Sequence, residues 1–170
     1  MTEISLGGII LSLGGLKVLQ LFFIHGKVSG MKITELKKVP KNKIGKFNQN
    51  GVDLESHEKM TARFLTLYGF NIEAIRPSNI PKIHNPDILM SGTIWEMKGP
   101  TNANESTIKK RFRKAIKQAN GKGIFDLRNI RTEKERAEAF STIMELFKTS
   151  REMRRIIVIK NDDEVLDIFK

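Results

Sequence analysis

Two acids and an amine lie within twelve positions of one another in the middle of the chain. Asp87 follows Pro86, eight residues intervene, and then comes Glu96-Met97-Lys98. Between them, Ser91-Gly92 separates two apolar runs and is a turn dipeptide of the kind that closes a two-residue hairpin. That turn pairs Met90 with Thr93, Leu89 with Ile94, Ile88 with Trp95, and Asp87 with Glu96. Opposed side chains share a face with Cβ atoms about 5 Å apart, and like charges there repel. A divalent cation removes the repulsion. Strand alternation adds Lys98 to the face of Glu96 and sends Trp95 and Met97 to the other, toward the core. An acid, an acid and an ammonium therefore converge on one spot, as in centres that hydrolyse phosphate esters with a carboxylate-bound metal ion.

The helix expected before this hairpin brings a further acid. Asp53 can cap it, Leu54, Ala62 and Leu65 form its apolar stripe, and Gly69 can end it in the left-handed conformation. Glu58, four residues after Leu54 and four before Ala62, falls on that stripe. An ionised carboxylate buried there without a partner costs several kcal/mol, so its position predicts that it faces Lys98 or a metal. Glu55 is a weaker substitute, nearer the solvent edge.

The elements that must hold these residues are short. Strands are expected at 70–75, 86–90 and 93–98, and a helix at 105–120 with Ile108, Phe112, Ile116 and Ala119 inward. A strand at 124–127, a helix at 132–148 and strands at 155–160 and 165–169 complete the domain. This order predicts an α/β (α+β) fold, a mixed central sheet flanked by helices. The helix at 105–120 carries Lys109, Lys110, Arg111, Arg113, Lys114 and Lys117, a set suited to gripping phosphates that flank the site.

Composition agrees. Thirty Lys and Arg against 19 Asp and Glu leave a net charge of +11, which suits nucleic acid or an anionic membrane surface. Absence of cysteine excludes a thiolate zinc site and a cysteine nucleophile. The chain divides into residues 1–50, an apolar segment and a basic linker, and a catalytic domain at 51–170. The apolar run at 4–24 repeats Ser-Leu-Gly-Gly; Lys17 and Gln20 argue against a spanning helix and Glu3 against a signal peptide, so a packing helix is expected, with membrane contact as the alternative. The lysine-rich stretch at 26–49 is expected to be a solvated connector or a phosphate-binding arm.

Pro86-Asp87, the eight-residue interval and Glu96-Met97-Lys98 resemble the PD-(D/E)xK nuclease motif, and Glu58-x-x-x-Ala62 with Leu65 and Tyr68-Gly69-Phe70 resembles that superfamily's first helix. The continuation extends the likeness: Lys98-Gly-Pro, the basic helix ending Lys117-Gln118-Ala119, then Gly123-Ile-Phe-Asp-Leu127 and Arg155-Ile-Ile-Val-Ile. The run from about residue 50 to 170 is similar to the C-terminal nuclease domains of contact-dependent growth inhibition toxins and related polymorphic bacterial toxins, many of which cut tRNA. The resemblance implies a restriction-endonuclease-like core, behind an N-terminal helical extension. It implies Mg²⁺ or Mn²⁺, one ion or two, on Asp87 and Glu96, with Glu58 bound to the metal directly, through water, or holding Lys98. Lys98 would orient the attacking water or stabilise the developing charge. Thr107 and Gln118 enter as auxiliary residues by the same likeness. It further implies a toxin acting in the target-cell cytoplasm and a cognate immunity protein, which the charge predicts to be acidic.

Of the histidines, His84 is the one that stands close to the catalytic strand in sequence; His25 and His57 are less informative. The same site would serve a DNA endonuclease of a mobile element or restriction system. A non-catalytic basic nucleic-acid-binding module is the alternative outside enzymology.

Overall fold

A computed structural model describes residues 30–78 and 85–170. The apolar segment 4–24 and His84 lie outside the described residues. In the unit Met31–Lys170, the strands are β1 (Lys32–Leu36), β2 (Phe47–Asn48), β3 (Ile72–Ala74), β4 (Ile88–Met90), β5 (Thr93–Lys98), β6 (Lys122–Asp126), β7 (Arg155–Ile159) and β8 (Val165–Phe169). The helices among the described residues are α1 (Ser56–Thr66), α2 (Glu105–Gln118) and α3 (Glu133–Thr149), with a 3₁₀ turn at Lys41–Lys43. The strands form one mixed sheet in the order β1-β8-β7-β6-β5-β4-β3-β2, so the expected fold class holds.

Its centre is parallel. β5, β6 and β7 run side by side in one direction, and α2 and α3 are the crossovers between them, as parallel neighbours require. Ile156, Ile157, Val158 and Ile159 of β7 are all fully buried, the continuous apolar run of a strand covered on both faces. Register sorts the two faces. Met97, Ile124 and Ile157 lie in line and join Ala62 and Leu65 of α1 in one core cluster. Glu96 lies beside Gly123 and Lys98 beside Phe125 on the opposite face. There Phe112 of α2 stacks on Phe125 with ring centroids 5.8 Å apart.

The β4–β5 hairpin has the register expected from Ser91-Gly92: Ile88 faces Trp95, Leu89 faces Ile94 and Met90 faces Thr93. Ser91 and Gly92 both take positive φ, 50° and 73°, the conformation of a turn that matches strand twist. Trp95 and Met97 are each 2% exposed, in the core as alternation required.

The basic stretch is not a connector from residue 32 onward. β1 pairs with β8 and β2 with β3, so both outer strands of the sheet come from residues expected to be linker. The two strands are short and have no fully buried residue, which leaves little alternation to read, while the backbone completes the edges. The turn between them is fastened to the end of α1: Val39 and Gly45 donate backbone N–H groups to the carbonyls of Leu67 and Thr66, each at 2.9 Å. A Cβ at Gly45 would meet the Phe70 carbonyl oxygen at 1.9 Å, so only glycine allows this approach.

Two further boundaries differ. The N-cap of α1 is Glu55, not Asp53, with a reciprocal capping box between Glu55 and Glu58; Asp53 is instead paired with Lys59 at 2.8 Å. In α2 the position expected for Ile116 is taken by Ala115, fully buried against Gly123, while Ile116 is half-buried. No helix among the described residues is long and apolar enough to cross a membrane.

Candidate active site

Three carboxylates are buried among the described residues: Glu96, Asp126 and Asp167, at 1%, 2% and 6% exposure. Two of them are fully provided for. Asp126 accepts from Thr61 Oγ1 at 2.7 Å and from Arg128 Nε at 2.9 Å. Asp167 accepts from Arg155 Nε at 2.9 Å and a second guanidinium nitrogen at 2.6 Å. Glu96 differs. Its Oε1 pairs with Lys98 Nζ, two residues on and on the same face, while Oε2 is buried with no hydrogen-bond partner among the described residues. A buried acceptor without a donor is costly and calls for an explanation, of which a bound ion or water molecule is one; Tyr68 Oη and Trp95 Nε1 are also buried without a partner among the described residues.

Asp87 lies one residue before β4, and the Ile88–Trp95 pairing carries it to the level of Glu96. Its backbone carbonyl accepts from Ile75 at 3.0 Å, and its Oδ2 accepts from the backbone N–H of Met97 at 2.6 Å. One carboxylate oxygen is thus tied to β5 between Glu96 and Lys98, and the segment before it is held by Gln118, whose Nε2 donates to the Asn85 carbonyl at 3.2 Å. Burial pushes Asp87 up to about 6, against the pull of the Met97 N–H and Lys98. Burial, then the negative charge of Asp87, pushes Glu96 up to about 7, against Lys98. Glu58 adds to both shifts through its charge. One buried acid, Glu96, and one half-buried acid, Asp87, stand with one ammonium, and one oxygen is unsatisfied; an oxygen-seeking divalent cation fits this donor set.

Glu58 stands at the start of the stripe, with the buried Thr61, Ala62 and Leu65 three, four and seven residues on. The buried residues of α1 are Thr61, Ala62, Leu65 and Thr66, and Glu58 is half-buried. Because the helix starts at Ser56, Glu58 is its third residue, and its Oε2 turns back to accept from the Glu55 N–H at 2.9 Å. Among the described residues, the acids and histidines whose ligand atoms all lie within 4.8 Å of one another are Glu55, His57 and Glu58. Glu58 therefore reaches Asp87 and Glu96 by its field, from the start of α1. His57 packs its ring against Gly99, where a Cβ would meet Cδ2 at 2.8 Å, directly after Lys98; its place in the sequence gives no hint of this, since only the tertiary fold lays α1 over the end of β5.

The basic set on α2 divides. Thr107, Lys110, Arg111 and Lys114 follow i, i+3, i+4, i+7 spacing on one stripe and line, with Lys98, a cleft of about 300 Å³. Lys109 is on the other flank, paired with Glu105 at 2.5 Å and lining a groove against Ser141, Thr142 and Glu145 of α3. Arg113 and Lys117 are exposed and do not line the cleft. The helical period, about 100° per residue, separates the two groups.

No curated protein and no solved structure matches the chain. Residues 84–165, a span that holds Asp87, Glu96, Lys98 and all of α2 but not Glu58, match the family model of the contact-dependent growth inhibition CdiA C-terminal domain.

Proposed function

We propose that the protein is a toxin-type, metal-dependent endonuclease that hydrolyses phosphodiester bonds in RNA, with tRNA as the favoured substrate. The observation that carries this reading is the unpartnered Oε2 of the buried Glu96, whose other oxygen pairs with Lys98, a residue that also lines a cation-rich cleft. Asp87 and Glu96 would hold Mg²⁺ or Mn²⁺, with Glu58 contributing through its field or through a bound water. When bound, such an ion polarises the scissile phosphate and lowers the pKa of a water. The ammonium of Lys98, fixed by Glu96, stabilises negative charge that develops on the phosphate or orients the attacking water. Gln118 acts at one remove, by holding the backbone that leads into Asp87. Thr107 offers a hydroxyl to the substrate in the cleft.

The match to the CdiA C-terminal domain supports the toxin part of the reading. A toxin of this kind is delivered into another bacterium, acts in its cytoplasm, and requires an immunity protein in the cell that makes it. The segment at 4–24 is then a candidate for contact with a membrane during entry.

The test is incubation of the protein with total RNA and with plasmid DNA, each with Mg²⁺, with Mn²⁺ and with chelator. Cleavage of RNA that depends on the metal and is lost in Glu96→Gln is the expected result. Plasmid cut with RNA intact would turn the assignment to a DNA endonuclease, and binding of both without cleavage under any metal would leave a basic binding module.

A further inference from the structure

The cleft beside Lys98 holds more positive charge than its surroundings balance. Of its five lining residues, Lys98, Lys110, Arg111 and Lys114 are cationic and Thr107 carries a hydroxyl. Lys98 is paired with Glu96. The acid in the first turn of α2, Glu105, is taken by Lys109 on the other flank. Among the described residues no carboxylate pairs with Lys110, Arg111 or Lys114. Like charges at i, i+3 and i, i+4 destabilise a helix unless an anion sits between them.

The lining says which anion. Among the described residues no aromatic ring lines the cleft, so they offer no platform on which a base would stack. A guanidinium fork, two ammonium groups and a hydroxyl present many donors around a small volume, which matches a tetrahedral oxyanion with three acceptor oxygens better than a carboxylate with two. Lys98 is common to the cleft and to the acidic centre. An occupant of the cleft is therefore the immediate neighbour of the group held at Glu96 and Asp87.

We propose that the cleft is a phosphate subsite, which takes the strand phosphate next to the scissile one. The identity of the strand rests on the nuclease reading; the affinity for a phosphate group does not. It follows that a substrate with a single phosphodiester and no other phosphate engages the acidic centre alone, and that a second phosphate on one particular side of the cut is recognised.

The first arm of the test uses the full chain carrying Glu96→Gln, titrated with inorganic phosphate and with pyrophosphate while side-chain NMR signals of lysine and arginine are followed. Signals of Lys110, Arg111 and Lys114 should move together, and the Lys110→Ala/Lys114→Ala pair should weaken binding by about tenfold or more, as loss of charge-assisted hydrogen bonds does. Lys134→Gln with Arg151→Gln, which removes the same charge elsewhere on the surface, should leave affinity unchanged. Signals that stay still, or equal weakening by both pairs, would overturn the subsite.

In the second arm the wild type is given dinucleoside monophosphates with a 5′-phosphate, a 3′-phosphate or neither, in Mg²⁺. One terminal phosphate should raise kcat/KM by about tenfold or more, and the advantage should vanish in Lys110→Ala/Lys114→Ala. Equal cleavage of all three substrates would overturn the subsite's place beside the scissile bond. Failure to cleave these and also total RNA and plasmid DNA would defeat the nuclease reading, while the first arm still decides whether the cleft binds phosphate.

Discussion

The backbone N–H of Met97 donates to Oδ2 of Asp87 across 2.6 Å, so the carboxylate of one strand is fixed to the backbone of the next between Glu96 and Lys98. One oxygen of Asp87 is engaged by this bond, and Oε2 of Glu96 has no partner among the described residues. Mg²⁺ or Mn²⁺ should therefore raise the melting temperature of the wild type, because a ligand that binds only the folded state stabilises it. Asp87→Ala should abolish that increase. A wild type whose melting is indifferent to millimolar divalent ions would remove the metal from this site.

The same stabilisation should depend on pH. Asp87 and Glu96 are raised to about 6 and about 7, chiefly by burial, so the folded protein without metal binds protons more tightly than the unfolded chain. Where the native state binds the extra proton, stability falls as pH rises. This contribution is present below the ordinary carboxylate range and is lost as pH climbs through 6 and 7. Metal binding needs the deprotonated acids, so the melting increment from Mg²⁺ should be small at about pH 5 and grow toward about pH 8. Melting curves over this range for wild type and Glu96→Gln measure it, and an increment that is the same at every pH would refute the coupling.

Lys98 is 13% exposed at its side chain and paired with Glu96. Lys98→Ala should lower cleavage by about 10²–10³-fold, the usual loss for one group that stabilises developing charge. Lys98→Arg should not restore the rate, because a planar fork does not replace a compact ammonium at a single oxygen. Retention of wild-type turnover by Lys98→Ala would mean that the chemistry lies elsewhere.

Gly45 tests whether residues 31–49 belong to the folded unit. A methyl group there runs into the backbone of Phe70, and backbone cannot move aside as a flexible side chain can. Gly45→Ala should destabilise the protein by about 1–3 kcal/mol, read from urea melts. Unchanged stability would mean that this stretch is a tether after all.

An acidic immunity protein should bind over the cleft, because the unpaired cations of α2 attract it by the same field that attracts nucleic acid. Hydrogen exchange should slow across residues 105–118 and 93–98 in the complex, RNA should compete, and the protein made alone should arrest growth unless it carries Glu96→Ala. Protection confined to the first fifty residues, or harmless expression of active protein, would contradict this.

Short-range patterns are enough to establish the hairpin. Ser91-Gly92 fixes the register of β4 against β5, and register fixes parity, so Glu96 and Lys98 share one face and Trp95 and Met97 the other. The crossover helices and the strands at 122–126, 155–159 and 165–169 are likewise legible, because their apolar periods are those of elements with buried faces. Other features depend on contacts distant in sequence. β1 and β2 are short edge strands with no fully buried residue, and what makes them strands is pairing with β8 and β3. Periodicity puts Glu58 in phase with the buried Thr61, Ala62 and Leu65; that it is only half-buried and accepts from the Glu55 N–H follows from the cap at Glu55, which places it in the first turn. The basic set on α2 reads as one patch in sequence, yet packing of Phe112 on Phe125 sets the rotation of the helix and sends only part of the set toward Lys98. In composition, Asp126, Asp167 and Glu96 are equal acids. Only the tertiary structure decided that Arg128 and Arg155 satisfy the first two and that Glu96 keeps an oxygen for something else, because whether a buried charge has a partner depends on which chain segments the fold brings within about 3 Å of it.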